Sequence, residues 1–351
     1  MKYREKIKFT PKPEFIERME ALLGSKEEAK KFFEISYTNT PSSIRCNTLK
    51  ITPSELKKRL EAYGWKIRQP FLSTGHDEIM IVDEKGEANG GGRKLNPGEL
   101  GKTKEHLLGY FYVQEISSML PILVLDPKPG EVLLDLCASP GSKTTQAAAL
   151  MENKGTIIAN EINLGRIGIL NANMERCGVM NTIVTRREGV AFCERILKNT
   201  KIRFDKILVD APCSGEGTLR KSPRTFLIWN VNMIKKIASV QRKLAEAALK
   251  ILKVGGEMIY STCTLSPEED EEVLDFLIKN FDIRVEEIKL PIKLRCGVCE
   301  FEGRQYSKEV EKACRLYPQD NDTDGFFLAK ITKLSDKCLL DGKRGKYGGR
   351  E

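Results

Sequence analysis

Three stretches of the 351-residue chain place reactive or ligand-holding side chains directly after apolar runs. Lys206-Ile207-Leu208-Val209 leads into Asp210-Ala211-Pro212-Cys213, and Gly256-Glu257-Met258-Ile259-Tyr260 leads into Ser261-Thr262-Cys263-Thr264. Upstream, the run from Glu131 to Leu136 enters Cys137-Ala138-Ser139-Pro140-Gly141-Ser142-Lys143-Thr144. An apolar run followed by turn residues predicts a strand emptying into a loop. In a parallel α/β sheet such loops gather at the carboxyl ends of the strands, around one crevice. Two thiols beside a loop of this kind point to cysteine nucleophile chemistry next to a nucleotide cofactor.

The first loop is neither a Walker loop nor the GxGxxG dinucleotide fingerprint. Pro140-Gly141 predicts a tight turn, and a helix starting near Lys143 would offer its free amides to a polar or anionic group. The next strand ends at Asn160-Glu161, a position where an acid holds ribose hydroxyls. The third strand is followed by Arg186-Arg187-Glu188-Gly189, an acid near where an adenine would lie. Singly, Glu161 and Glu188 read equally well as solvated loop acids. With the loop they favour a nucleoside cofactor over a nicotinamide.

The thiols suit one difficult reaction in particular. Cytosine C5 is a poor nucleophile, and no simple base activates it. A thiolate adding to C6 turns the ring into an enamine whose C5 can attack a methyl cation equivalent. A base then removes the C5 proton and the thiol leaves. Such chemistry needs a reactive thiol, an acid near cytosine N3 and a methyl donor in line. Asp210 could act at N3 if a closed pocket raises its pKa. One addition needs one thiol, so the second of Cys213 and Cys263 is expected to help release product. The competing reading of each is a buried, inert thiol.

The elements that must position these residues follow from the pattern. Strict strand–helix alternation from about Gln114 predicts a parallel sheet with covering helices. Strands are expected at 131–136, 156–160, 182–185, 204–209, 256–261 and 284–288, with a last one over Gly325 to Ile331. Helices are expected at 143–151, 163–177, 232–253 and 267–280. The long helix carries Ile234, Ile237, Ala238, Gln241, Leu244, Ala245, Ala248 and Leu252 as a core-facing stripe. Gly255-Gly256 is expected to end it. Before this lies a small α+β module. Phe15, Ile16, Met19, Leu22 and Leu23 recur at helical spacing. Strands are expected at Ser43 to Asn47, Glu78 to Val82 and Leu107 to Val113, and a helix from Pro53 to Tyr63 with a Thr52/Glu55 capping box. A flexible Asn89-Gly90-Gly91-Gly92 turn separates two of these strands. The order suggests a ferredoxin-like or RNA-recognition-like module, without the aromatic signature of a base-stacking platform.

These motifs, in this order, resemble the Sun-type (Nol/Nop/Sun) RNA cytosine-C5 methyltransferases. The resemblance covers about residues 40 to 333. It rests on the Asp135 to Thr144 loop, on Asp210-Ala211-Pro212-Cys213-Ser214-Gly215 and on Ser261-Thr262-Cys263-Thr264. Ser43-Ile44-Arg45-Cys46-Asn47-Thr48-Leu49-Lys50 is similar to the opening of the family's RNA-binding module. Arg315-Leu316-Tyr317-Pro318 and Asp324-Gly325-Phe326-Phe327 are similar to its closing segment. By resemblance, Cys263 is the nucleophile, Cys213 assists breakdown of the covalent adduct, Asp210 contacts the cytosine and Lys143 sits at the pocket edge. Cys137, Ala138, Ser139, Pro140, Gly141, Ser142 and Lys143, with Glu161, Arg166, Glu188 and Asp210, would bind S-adenosylmethionine. The implied fold is a Rossmann-like methyltransferase sheet with its last strand antiparallel. Two departures stand out: Ser142 where the family often has Gly, and Glu188 where it usually has Asp.

The expected organisation is 1–113 for the helical segment and RNA-binding module, 114–333 for the methyltransferase domain and 334–351 for a basic, Gly-rich tail. Net charge is +9, from 58 Lys and Arg against 49 Asp and Glu, an excess that attracts polyanions such as RNA. No apolar run approaches the roughly 18 residues of a membrane span, and no apolar signal segment follows Met1, so a cytoplasmic protein is expected. Ten cysteines are too few for a disulfide scaffold. Cys296-Gly297-Val298-Cys299 has no second pair at zinc-finger spacing, so a local disulfide or packed thiols is expected over a metal. The substrate is expected to be tRNA or rRNA, with tRNA slightly favoured and no obligatory protein partner. The alternatives are a DNA cytosine-C5 methyltransferase and a catalytically silent RNA-binding or ribosome-assembly protein. The Thr-Cys-Thr turn argues against the first, and the intact Cys213, Cys263 and Asp210 against the second.

Overall fold

The structure, a computed structural model, describes residues 9–86, 92–93, 95–96 and 98–339. Two compact units emerge, Thr40–Arg187 and the combination of Met1–Asn39 with Glu188–Glu351.

The unit Thr40–Arg187 opens with an antiparallel sheet ordered Trp65–Arg68, Ile79–Gly86, Ser42–Cys46, Phe111–Val113. One strand–helix–strand–strand passage with the first strand central is the split-βαβ arrangement expected. The helix Pro53–Ala62 starts with Pro in its first turn, and the Thr52 hydroxyl accepts the Glu55 amide at 3.3 Å. Its Leu56 and Leu60, one turn apart, bury against Ile44, Trp65, Met80 and Phe111. The strand expected over Leu107 to Val113 is shorter. Thr103 caps a helical turn over Lys104–Leu107, and only Phe111–Val113 pairs. Of the Asn89 to Gly92 turn, all but Gly92 lies outside the described residues.

The same unit continues into parallel strands Val132–Asp135, Thr156–Asn160 and Thr182–Thr185, in register as Leu133↔Ile157 and Ile158↔Ile183. The helices Ser142–Leu150 and Leu164–Cys177 connect them. All five elements fall where the alternation predicts.

In the second unit the parallel strands Phe204–Asp210 and Leu252–Thr262 run side by side, and Phe326–Cys338 pairs antiparallel with the latter. Cys314–Leu316 and Phe281–Glu286 pair with the far side of Phe326–Cys338. The helix Val231–Ile251 buries Ile234, Ala238, Gln241, Leu244 and Ala248. Its end differs from expectation. The chain enters the strand at Leu252, and Gly255, at φ +80°, sits inside that strand where the register shifts between Leu252 and Glu257. The glycines make a bulge rather than a helix stop. The helix expected from 267 begins at Glu271, and the strand expected to end at Ile331 runs to Cys338, past the proposed start of the tail. Residues 340–351 lie outside the described residues. The N-terminal helices Pro13–Leu23 and Lys26–Ser36 belong to this unit. Phe15, Met19 and Phe32 pack there with Phe226, Trp229, Leu265 and Tyr317.

Candidate active site

Neighbouring parallel strands fix the two cysteine turns. Val209 lies opposite Tyr260 and Asp210 opposite Ser261, so the turns leave the sheet at the same level. The Ala211 amide donates to the Ser261 carbonyl at 2.9 Å, and the Ser261 hydroxyl donates to Asp210 Oδ1 at 2.8 Å. One step on, the Cys213 and Cys263 sulfurs stand 2.7 Å apart, both free thiols and both half-buried. Immediately after them the Ser214 and Thr264 hydroxyls pair at 2.7 Å. The Gly217 amide donates to the Cys263 carbonyl at 2.9 Å. A Cβ at Gly217 would lie 2.1 Å from the Gly325 carbonyl oxygen, so this close backbone approach requires glycine. The hydrogen bond with Cys263 and withdrawal from solvent push the Cys213 thiol well above its ordinary pKa. Cys213 therefore keeps its proton at neutral pH.

Beneath the turns lies a set of buried acids. Glu269 Oε2 accepts the Ser214 amide at 3.0 Å and the Gln241 side-chain amide at 2.8 Å. The same Gln241 nitrogen donates to the Pro212 carbonyl at 2.8 Å. Burial, partly offset by the Ser214 hydrogen bond, raises Glu269 to about 7. Asp270 accepts the Thr262 hydroxyl, and burial raises it as well. Arg315, fully buried, forms a bidentate pair with Glu271. Glu216 accepts Trp229 Nε1 and the Ser266 hydroxyl.

In the unit Thr40–Arg187, the loop Cys137 to Lys143 leads from Val132–Asp135 into the helix Ser142–Leu150, whose N-cap Gly141 supplies no side-chain cap. Glu161, 3% exposed on its side chain, follows Thr156–Asn160. Its Oε1 accepts the Asn163 amide at 2.8 Å, and its Oε2 lies 3.3 Å from the Arg166 guanidinium. Arg166 also donates to the Ser139 carbonyl at 2.5 Å, so it ties the acid to the loop. Lys143 donates to the Ser118 hydroxyl at 2.9 Å. Arg45, buried in the strand Ser42–Cys46, donates to the Ser142 carbonyl at 2.7 Å, to Thr145 Oγ1 at 2.8 Å and to Gln114. An uncapped helix N-terminus offers amides to a carboxylate, and a buried acid offers acceptors to a diol. That donor set fits the amino-acid and ribose parts of S-adenosylmethionine.

The sequence-derived residues thus fall into two groups, Cys213, Cys263 and Asp210 in one unit and Cys137 to Lys143, Glu161 and Arg166 in the other. Glu188, in the unit with the thiols, accepts the Val190 and Ala191 amides and caps the helix Gly189–Asn199. Ser142 is half-buried and uses its carbonyl toward Arg45. Cys296 and Cys299 are free thiols, so the local disulfide is not formed. Cys296 faces Cys314 across a strand pair, and Cys299 contacts Glu311. Sequence reading missed Gln241 and Glu269 as neighbours of the cysteine turn. A glutamine inside the apolar stripe was the available signal for the first, and an acidic run closely following Cys263 for the second.

Residues 122–332 match the family model of the 16S rRNA methyltransferase RsmB/F, and residues 12–116 match the N-terminal domain of the 16S rRNA methyltransferase RsmF. A tRNA (cytosine(49)-C(5))-methyltransferase of Pyrococcus abyssi is 41% identical, over 95% of this chain and 99% of that protein. A ribosomal RNA small subunit methyltransferase F of Vibrio campbellii is 38% identical, over 92% of this chain but only 63% of that protein. Among solved structures, a methyltransferase homolog from Pyrococcus horikoshii superposes with a TM-score of 0.77 at 35% identity, covering 91% of this chain and 94% of that one. NSun6 from Pyrococcus horikoshii, crystallised with SFG, gives 0.75 at 28% identity, covering 92% and 98%. The chain belongs to the RsmB/F, or Sun-type, family of S-adenosylmethionine-dependent RNA cytosine-C5 methyltransferases.

Proposed function

We propose that this protein forms 5-methylcytosine in tRNA, with Cys263 as nucleophile and Cys213 as the thiol that frees the product. The pairing of the two sulfurs at 2.7 Å is the observation that carries this reading. The near full-length similarity to a protein named as a tRNA methyltransferase supports tRNA over rRNA as substrate. Either RNA is met in the cytoplasm. Among the described residues no helix is long and apolar enough to cross a membrane.

The target base must leave its stack for a sulfur to reach C6. The Cys263 thiolate forms the S–C6 bond, the C5=C6 electron pair shifts into the ring, and N3 takes a proton from Asp210. S-adenosylmethionine supplies an electrophilic methyl group, and its residues in this reading are the loop Cys137 to Lys143 with Glu161, held in place by Arg166. Glu188 already caps a helix, so the assignment rests on the loop and Glu161. After methylation a base removes the C5 proton, the pair re-forms C5=C6, and the C6–S bond breaks with its electrons returning to Cys263. N3 gives its proton back to the Asp210 carboxylate. Cys213, kept as a thiol, donates a hydrogen bond to that departing sulfur. A good leaving thiolate is one whose charge is already solvated by a donor.

Labelled S-adenosylmethionine incubated separately with tRNA, small-subunit rRNA and duplex DNA tests the reading. Label at cytosine C5 in tRNA is expected. Label in DNA alone, or tight RNA binding without label, contradicts it.

A further inference from the structure

We propose that Glu269 and Gln241 are positioning residues that hold the Cys213 turn for adduct release, an inference that rests on the role proposed above for Cys213. The turn is gripped at the peptide groups on both sides of its thiol. Before Cys213, the Pro212 carbonyl accepts from Gln241 Nε2 at 2.8 Å; after it, the Ser214 amide donates to Glu269 Oε2 at 3.0 Å. The two side chains are joined at 2.8 Å and are both fully buried.

This bracket comes from two distant elements, the helix Val231–Ile251 and the turn before the helix Glu271–Asn280. Neither is needed by the thiol chemistry itself. A buried carboxylate and a buried amide are costly to keep in an interior unless hydrogen-bonded. Here, besides the bond that joins them, Gln241 and Glu269 direct their side-chain hydrogen bonds to the Cys213 turn. The far oxygens, Glu269 Oε1 and Gln241 Oε1, make no hydrogen bond. Fold stability alone would be served as well by apolar side chains of similar volume. The Ser214–Thr264 hydroxyl pair then transmits the position of this turn to the one bearing Cys263. A turn held in this way keeps its sulfur on line with the Cys263 sulfur. Loosening it would weaken the hydrogen bond needed when the C6–S bond breaks, and leave the first addition and methyl transfer largely intact.

The test compares wild type, Cys213→Ala, Glu269→Ala, Glu269→Gln and Gln241→Leu on tRNA with labelled S-adenosylmethionine. Methyl transfer in the first turnover, steady-state product and denaturation-resistant protein–RNA adduct are read for each. Wild-type transfer and adduct accumulation in Cys213→Ala establish the underlying reading, and their absence defeats that reading rather than this one. Given both, Glu269→Ala and Gln241→Leu should each accumulate adduct about tenfold over wild type, the factor expected from one lost buried hydrogen bond. First-turnover transfer should stay within about threefold. Glu269→Gln keeps an acceptor for Ser214 and should restore most of the release. Should Glu269→Ala not fold, Gln241→Leu decides. Wild-type adduct levels in the folded variants, or equal losses of transfer and release, would overturn the inference.

Discussion

The Cys213 and Cys263 sulfurs stand 2.7 Å apart although 50 residues separate them in the chain. Two sulfurs so close cannot both be anions without heavy repulsion, and the contact with Cys263 raises the Cys213 thiol. The pair divides the labour of an addition–elimination: one sulfur bonds to carbon, and the other stays protonated to receive it back. The strand register Asp210↔Ser261 creates the pair, because adjacent parallel strands end together and each turn delivers its cysteine within three residues.

Removing Cys263 should change Cys213. The hydrogen bond with Cys263 is the foremost cause of the raised Cys213 pKa, ahead of its withdrawal from solvent. In Cys263→Ala, alkylation of Cys213 by iodoacetamide at about pH 8 should run several-fold faster than in wild type, as more thiolate becomes available. Mass mapping of the modified peptide gives the rate. An unchanged or slower rate would mean that the two sulfurs do not interact.

Cofactor affinity should depend on Glu161. Its carboxylate is buried and braced by Arg166, which also grips the Ser139 carbonyl. Charge-assisted hydrogen bonds are worth about 1.5–3 kcal/mol. Glu161→Ala should therefore weaken binding of S-adenosylhomocysteine by about tenfold to a hundredfold in calorimetry. Arg166→Met should cost less, because it acts through its neighbours. Equal affinity in Glu161→Ala and wild type would remove Glu161 from the cofactor site.

Arg45 links the small module to the helix that follows the loop. It is fully buried, and burial lowers its pKa to about 10. Arg45→Met would leave the Ser142 carbonyl, Thr145 and Gln114 short of a donor. Loss of a buried, multiply bonded group should cost about 2–4 kcal/mol, read from denaturant unfolding. A change below about 0.5 kcal/mol would show that solvent replaces the guanidinium.

The buried acid Glu269 makes stability pH-dependent. Its carboxyl is raised from 4.5 to about 7, chiefly by burial. An acid whose folded pKa exceeds its unfolded pKa favours the folded state at low pH. That contribution is complete below about pH 4.5 and is lost as pH rises through about 7, at a cost of about 3 kcal/mol. Glu216 and Asp270 are also raised, and Tyr260 and Cys213 face the same interior, so the measurement is a difference. Between about pH 5 and pH 8.5, Glu269→Gln should gain about 3 kcal/mol relative to wild type. Parallel pH profiles would show that Glu269 ionises freely in the folded protein.

What could be read from the chain beforehand was whatever repeats in short windows. Val132–Asp135, Thr156–Asn160 and the cysteine turns are apolar runs with turn residues attached, and both signals are local. Residues that act through distant partners carried no such signal. Glu268 to Glu272 is an acidic run, yet Glu268, Glu269, Asp270 and Glu271 are buried, and their partners include Arg18, Ser214 and Arg315, at least 44 residues away in the chain. Gly255-Gly256 reads as a helix stop but makes a bulge, because Leu252 already pairs with Phe204. Glu188 follows a strand, as its position in the chain announces, but its capping of the helix Gly189–Asn199 is visible only in the structure.

The most direct test of the account exposes wild type, Cys263→Ala and Cys213→Ala to tRNA and labelled S-adenosylmethionine, then scores label and denaturation-resistant adduct on the same gel. The account predicts that Cys263→Ala loses both, while Cys213→Ala retains a first methyl transfer and accumulates the adduct. An adduct trapped by Cys263→Ala and absent from Cys213→Ala would contradict it, making Cys213 the nucleophile.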